Sequence, residues 1–131
     1  MIVPYRPLPG SSGSRPFLDV LVGAAPFRIP ALVDSGAVNS LFHVEVAREG
    51  ELDLSTAEQR ALQVGSERQA RNAAFLTVPL EAGGLPWEAE VGFCDWMPLE
   101  WGLLSHHSFF RLFTVTFRAY DGEFDVEPIS A

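Results

Sequence analysis

The chain has 131 residues and a net charge of -8, with 47% hydrophobic residues that include ten Phe and three Trp. That length suits a single domain burying about two thirds of its unfolded surface, and the acidity argues against nucleic acid or an anionic membrane surface as partner. No stretch approaches the roughly 18 uninterrupted apolar residues of a membrane span.

Met1-Ile2-Val3 is short and apolar, suited to an edge strand, and no basic region precedes an apolar core, so it does not read as a signal peptide. Leu8-Pro9-Gly10-Ser11-Ser12-Gly13-Ser14 is a flexible connector by composition. Residues 1–16 are therefore expected to form an N-terminal strand and connector, and residues 17–131 the folded domain. Phe17 to Val22 reads as a strand, Gly23-Ala24-Ala25-Pro26 as a turn, and Phe27 to Val33 as the returning strand of a hairpin. That second strand runs into Asp34-Ser35-Gly36, where glycine permits a sharp turn. A carboxylate ending a buried strand needs a partner. Either Asp34 caps its own backbone in an Asx-type turn, or it is a working acid.

Beyond the turn, Val44 to Glu49, stopped by Gly50, predicts a short helix. Ser55-Thr56-Ala57-Glu58 fits either a capping box opening one or two helical turns or an exposed turn. Leu62 to Asn72 has a polar middle between apolar ends, as a projecting hairpin would. Ala74–Leu80 and Trp87–Phe93 flank Gly83-Gly84 and make the clearest hairpin, with Pro79 marking an edge or bulge. Cys94 has no intramolecular disulfide partner, so it reads as a small buried hydrophobe in a reducing compartment, with the cytoplasm expected. Leu99–Leu104 predicts a buried strand, and His107–Phe113 a short helix with Phe109, Phe110 and Phe113 inward. Thr114–Tyr120 and Phe124–Glu127 close the chain as a hairpin across Asp121-Gly122. Many short strands with regular turn signals and little helix predict an all-β barrel.

Ala31-Leu32-Val33-Asp34-Ser35-Gly36-Ala37, followed by Ser40-Leu41, resembles the active-site loop of retropepsin-like aspartic proteases. About seventy residues downstream, Trp101-Gly102-Leu103-Leu104-Ser105 and then Phe109-Phe110 resemble that family's hydrophobic-hydrophobic-Gly segment and the short helix after it. The two motifs stand in the family's order and spacing, and the likeness runs from Phe17 to Pro128. It implies a closed β-barrel of the acid protease type with one or two short helices, acting as a homodimeric endopeptidase. Catalysis would fall to Asp34, Ser35 and Gly36, with Ser35 bonding across the two-fold axis. Substrate contacts would come from Ala37, Val38 and Leu103, and from Gly65 and Ser66 in a flap-like hairpin. The resemblance calls for no cofactor and no metal. Met1–Val3 and Phe124–Ile129 would interdigitate at the dimer interface.

Three positions depart from the family pattern. Val38 and His106 stand where the family has an Asp–Arg pair, so both charges are lost together. Ser105 replaces the glycine, and its added hydroxymethyl either finds a hydrogen bond or disturbs the aspartate loop. The competing reading is a catalytically inactive dimer of the same fold that binds a peptide or partner protein. Neither His106-His107 nor Ser40 with His43 makes a stronger site, because metal-ligand spacing and a Gly-x-Ser-x-Gly elbow are both missing.

Overall fold

A computed structural model of the chain describes residues 1–8, 12–63 and 69–129. In order, its strands are β1 (Ile2–Pro4), β2 (Arg6–Pro7), β3 (Ser14–Arg15), β4 (Phe17–Val22), β5 (Ile29–Val33) and β6 (Leu41–His43). After helix α1 (Val44–Glu49) come β7 (Glu58–Leu62), β8 (Arg71–Ala82), β9 (Leu85–Cys94), β10 (Gly102–Leu104), β11 (Phe113–Arg118) and β12 (Glu123–Pro128). A π-helical segment, His106–Phe110, lies between β10 and β11.

Six strands close a barrel in the order β4-β5-β10-β6-β9-β8, with β8 returning to β4 through Leu21 opposite Glu81 and Val22 opposite Leu80. Strand β7 is added on β8 outside the ring. Closure removes the exposed sheet edges that a short all-β chain would otherwise present. A second, three-stranded sheet takes the order β1-β12-β11. The fold is the expected all-β closed barrel with little helix.

The longest hairpin forms where the sequence is most explicit. Gly83 and Gly84 both have positive φ, +56° and +85°, the backbone that a two-residue hairpin turn requires and that residues with a Cβ resist. This turn sets β8 and β9 in register from Ala82 opposite Leu85 to Ala74 opposite Phe93. Pro79 sits where the β4 ladder on β8 runs out. Strand β4 ends at Val22, and the Pro79 carbonyl accepts from Gly23 N–H (2.9 Å) where the ladder stops.

Val20, Val22, Phe42, Val78, Val91, Phe93, Leu104, Phe109, Phe124 and Val126 fill one continuous core. Each contributes about 1.5–3 kcal/mol by leaving water. Gly102 is a close-approach position: a Cβ there would lie 2.3 Å from Phe42 Cδ1 and 2.9 Å from the Leu41 carbonyl oxygen. Gly102→Ala is therefore expected to destabilise the protein by about 1–3 kcal/mol through overpacking, read from the denaturation midpoint. Cys94 is buried, and burial pushes its thiol up to about 11. It is expected to resist iodoacetamide at pH 8 in the folded protein and to react only once denaturant opens the barrel.

Three boundaries differ from expectation. The second strand begins at Ile29 rather than Phe27, which is 76% exposed. The strand expected over Leu99–Leu104 is confined to Gly102–Leu104, and Leu99 is exposed. In the parallel ladder Gly102 lies opposite Ala31, so the preceding position meets Pro30, which has no N–H to give. The helix expected over His107–Phe113 spans His106–Phe110 instead. Phe113 opens β11 opposite Pro128, with its ring against Phe109 (4.9 Å) and Trp87 (5.1 Å), and the β-branched run Thr114-Val115-Thr116 favours a strand. Of the two readings open for Ser55–Glu58, the capping box does not form and the turn does. The Asp53 carboxylate instead accepts from Ser55 N–H (2.9 Å) and caps a single 3₁₀ turn over Leu54–Thr56, while Glu58 opens β7. Helix α1 is where the sequence places it, with His43 Nδ1 accepting from Glu45 N–H (3.1 Å) as its cap.

Candidate active site

Asp34 follows the last residue of β5, and its position is fixed from behind. Strand β10 runs parallel to β5, Leu103 opposite Leu32 and Leu104 opposite Val33, and Asp34 N–H donates to the Leu104 carbonyl (2.9 Å). The Asp34 carboxylate accepts from Gly36 N–H through Oδ1 (2.8 Å), and its carbonyl accepts from Ala37 N–H (3.4 Å). The carboxylate thus caps its own turn, and in doing so is held at the tip of a half-exposed loop. The approach at Gly36 is close: a Cβ there would stand 3.2 Å from that same Oδ1.

The rest of the loop is tied to the segment after β10. Ser105 N–H donates to Ser40 Oγ (2.9 Å), with both residues fully buried. His106 N–H donates to the Ala37 carbonyl (3.4 Å) and His107 N–H to the Val38 carbonyl (3.1 Å). His106 Nε2 meets the Ser35 carbonyl oxygen at 2.5 Å. Residues 34–40 and 104–107, far apart in sequence, are therefore laced together by backbone and side chain.

Ser105 was the substitution with two possible outcomes. Its backbone takes the bond to Ser40, but its own hydroxyl is buried and has no partner among the described residues. An unpaired buried hydroxyl costs about 1–3 kcal/mol. Ser105→Ala is therefore expected to raise stability by about 1 kcal/mol, measured by thermal unfolding. Unchanged or lower stability would mean that the hydroxyl is bonded after all.

A groove of about 560 Å³ opens beside the loop, walled by Gly36, Ala37, Val38 and Asn39, by Leu41 and Leu103, by Ala61, Leu62 and Gln63, and by Trp96 and Met97. None of these side chains is charged. Of the residues expected to contact substrate, Ala37, Val38 and Leu103 line this groove, and Gly36 brings the aspartate loop to its wall. Asp34 and Ser35 belong to the loop but not to the wall. Gly65 and Ser66 lie outside the described residues. The hairpin expected over Leu62–Asn72 is present at its base, where Leu62 pairs with Arg71.

Sequence reasoning had no signal for Ala61 or Leu62 as groove walls, nor for Met97, which sits in a loop without motif. A cavity of about 580 Å³ between α1, the β4–β5 turn and Leu99 contains no residue of the aspartate loop. The terminal strands expected to interdigitate between subunits pair with each other inside one chain, Ile2 opposite Asp125 and Val3 opposite Phe124. With β11 on its other side, β12 has both edges occupied, and among the described residues no further strand pairs with β1 or β11 in that sheet.

A closed six-stranded barrel, with an Asp-Ser-Gly turn ending one strand and a parallel strand crossing behind it, is the acid protease fold. Among solved structures, the chain is similar to a retropepsin-like aspartic protease from Rickettsia conorii, with a TM-score of 0.66 and 14% sequence identity, over 96% of this chain and 89% of that one. At that identity the likeness defines the fold. No family model matches the chain, and no curated protein does.

Proposed function

We propose that the chain is an aspartic endopeptidase that works as a homodimer, with one Asp34 from each copy meeting on a two-fold axis. The observation that carries this is the Asp34 carboxylate itself, held by Gly36 N–H at the end of a barrel strand and next to a groove whose described walls are uncharged. Cleaving an amide with carboxyls alone takes two that share a site. The ionised one removes a proton from a bound water, whose oxygen attacks the carbonyl carbon, while the protonated one donates a hydrogen bond to the carbonyl oxygen. As the C–N bond breaks, the proton taken from water passes to the leaving amine. Two carboxyls about 3 Å apart cannot both ionise, so their titrations separate and belong to the pair.

One chain carries one Asp-Ser-Gly, so the second carboxyl comes from a second copy, and a two-fold interface is self-complementary by construction. An extended peptide would lie in the groove, its side chains against Val38, Leu62, Trp96 and Leu103. Val38, where a charged contact would otherwise reach the substrate main chain, favours the second reading, a dimer that binds peptide without cleaving it.

The test is hydrolysis of a diverse peptide library by purified protein between pH 4 and 7, over a range of protein concentrations. Cleavage whose rate per chain rises with concentration and then saturates is the expected result. Saturable binding without cleavage at every concentration would establish the second reading in its place.

A further inference from the structure

The contact between His106 and the aspartate loop bears on a single peptide group. Its carbonyl belongs to Ser35 and meets His106 Nε2 (2.5 Å), and its N–H belongs to Gly36 and donates to Asp34 Oδ1 (2.8 Å). A carbonyl only accepts, so His106 carries its proton on Nε2 and donates. The peptide unit is planar and trans, so its C=O and N–H point in opposite directions along one rigid plate. Fixing the carbonyl therefore fixes the direction of the N–H. A donor on the carbonyl also polarises the group, which makes its N–H a stronger donor to the carboxylate.

From this geometry we infer that His106 is a positioning residue for Asp34, acting through the Ser35–Gly36 peptide plane. The imidazole never touches substrate or the reacting atoms. It aims and strengthens the hydrogen bond from Gly36 N–H that orients the carboxyl. Its own placement is determined on two sides. The backbone N–H donates to the Ala37 carbonyl, and the ring lies 5.2 Å from that of Phe110. Segment His106–Phe110 in turn is seated by buried Phe109. An Arg stands at this position in the resembled family, paired there with an acid. Here Val38 stands in place of that acid, and the side chain at 106 is turned to the backbone of the aspartate loop instead.

The test compares three substitutions at this exposed residue, where none disturbs the core. His106→Gln places an amide N–H where Nε2 stood, His106→Asn places one a bond shorter, near Nδ1, and His106→Ala places none. The first readout is the Gly36 amide proton resonance, which reports its bond to the carboxylate and needs no catalysis. It is expected to move upfield in the Ala and Asn variants and to stay near wild type in the Gln variant. The second readout rests on the protease reading. There kcat is expected to fall about five- to tenfold in the Ala and Asn variants, the rate equivalent of one hydrogen bond, with KM unchanged and with recovery in the Gln variant. A Gly36 resonance unmoved by His106→Ala, or Gln and Asn variants that behave alike, overturns the inference. A wild-type protein that cleaves nothing yet shows the expected Gly36 shifts leaves the relay standing and removes the protease reading.

Discussion

Asp34→Asn is expected to lower kcat by about 10³-fold or more, the contribution of a positioned acid–base group. The substitution keeps size and shape, and the side-chain oxygen of Asn still accepts from Gly36 N–H, so the turn after β5 survives. What is lost is the ability to take a proton from water, and in a two-fold dimer both halves of the couple are lost at once. Dimerisation and peptide binding are expected to persist, because the groove walls and the β1-β12-β11 sheet are untouched. Peptide cleavage assayed beside sedimentation and circular dichroism separates these effects. Activity retained in the Asn variant would show that Asp34 is only a turn cap.

Phe109→Ala is expected to destabilise the fold by about 3–5 kcal/mol, a large share of the roughly 5–15 kcal/mol available to a domain of this kind. Phe109 is fully buried, stacked on Phe113 at 4.9 Å and tilted against Trp87 at 5.6 Å, and its amide donates to the Ser105 carbonyl (3.0 Å). Truncation opens a cavity that two large neighbouring rings cannot fill without leaving their own contacts. The loss reaches the site, because His106–Phe110 is the segment that laces the aspartate loop from behind. Chemical denaturation at constant slope measures the change. A loss below about 1 kcal/mol would mean that the site collapses around the missing ring.

How far the fold could be read in advance depended on whether a residue's own chemistry or a distant neighbour settled the outcome. Gly83-Gly84, the Gly50 stop and the end of the strand that runs into Asp34 all act locally, and all appear where expected. Strand β10 is short because Pro30, about seventy residues earlier, has no N–H for it, and no local pattern could carry that. Phe113 left the expected helix because its sheet partners and two aromatic neighbours lie elsewhere in the chain. Between a capping box and a turn at Ser55–Glu58, the turn formed because Asp53, two residues before Ser55, takes its amide.

At the site, the Asp-Ser-Gly turn and its crossing strand were visible through their resemblance to a known pattern. The His106 contact was not, because it depends on which way an exposed side chain turns after the two motifs have met. Ser105 shows the same limit. Its two outcomes differ only in whether a hydroxyl at the centre of the packing finds an acceptor.

The most direct test of the whole account is a crystal structure of the protein that shows how its copies assemble. Two chains about a two-fold axis are expected, with Asp34 carboxyl oxygens from the two copies about 3 Å apart over a shared water. A solitary chain, or an assembly that keeps the two Asp34 side chains well beyond hydrogen-bonding reach, would contradict it.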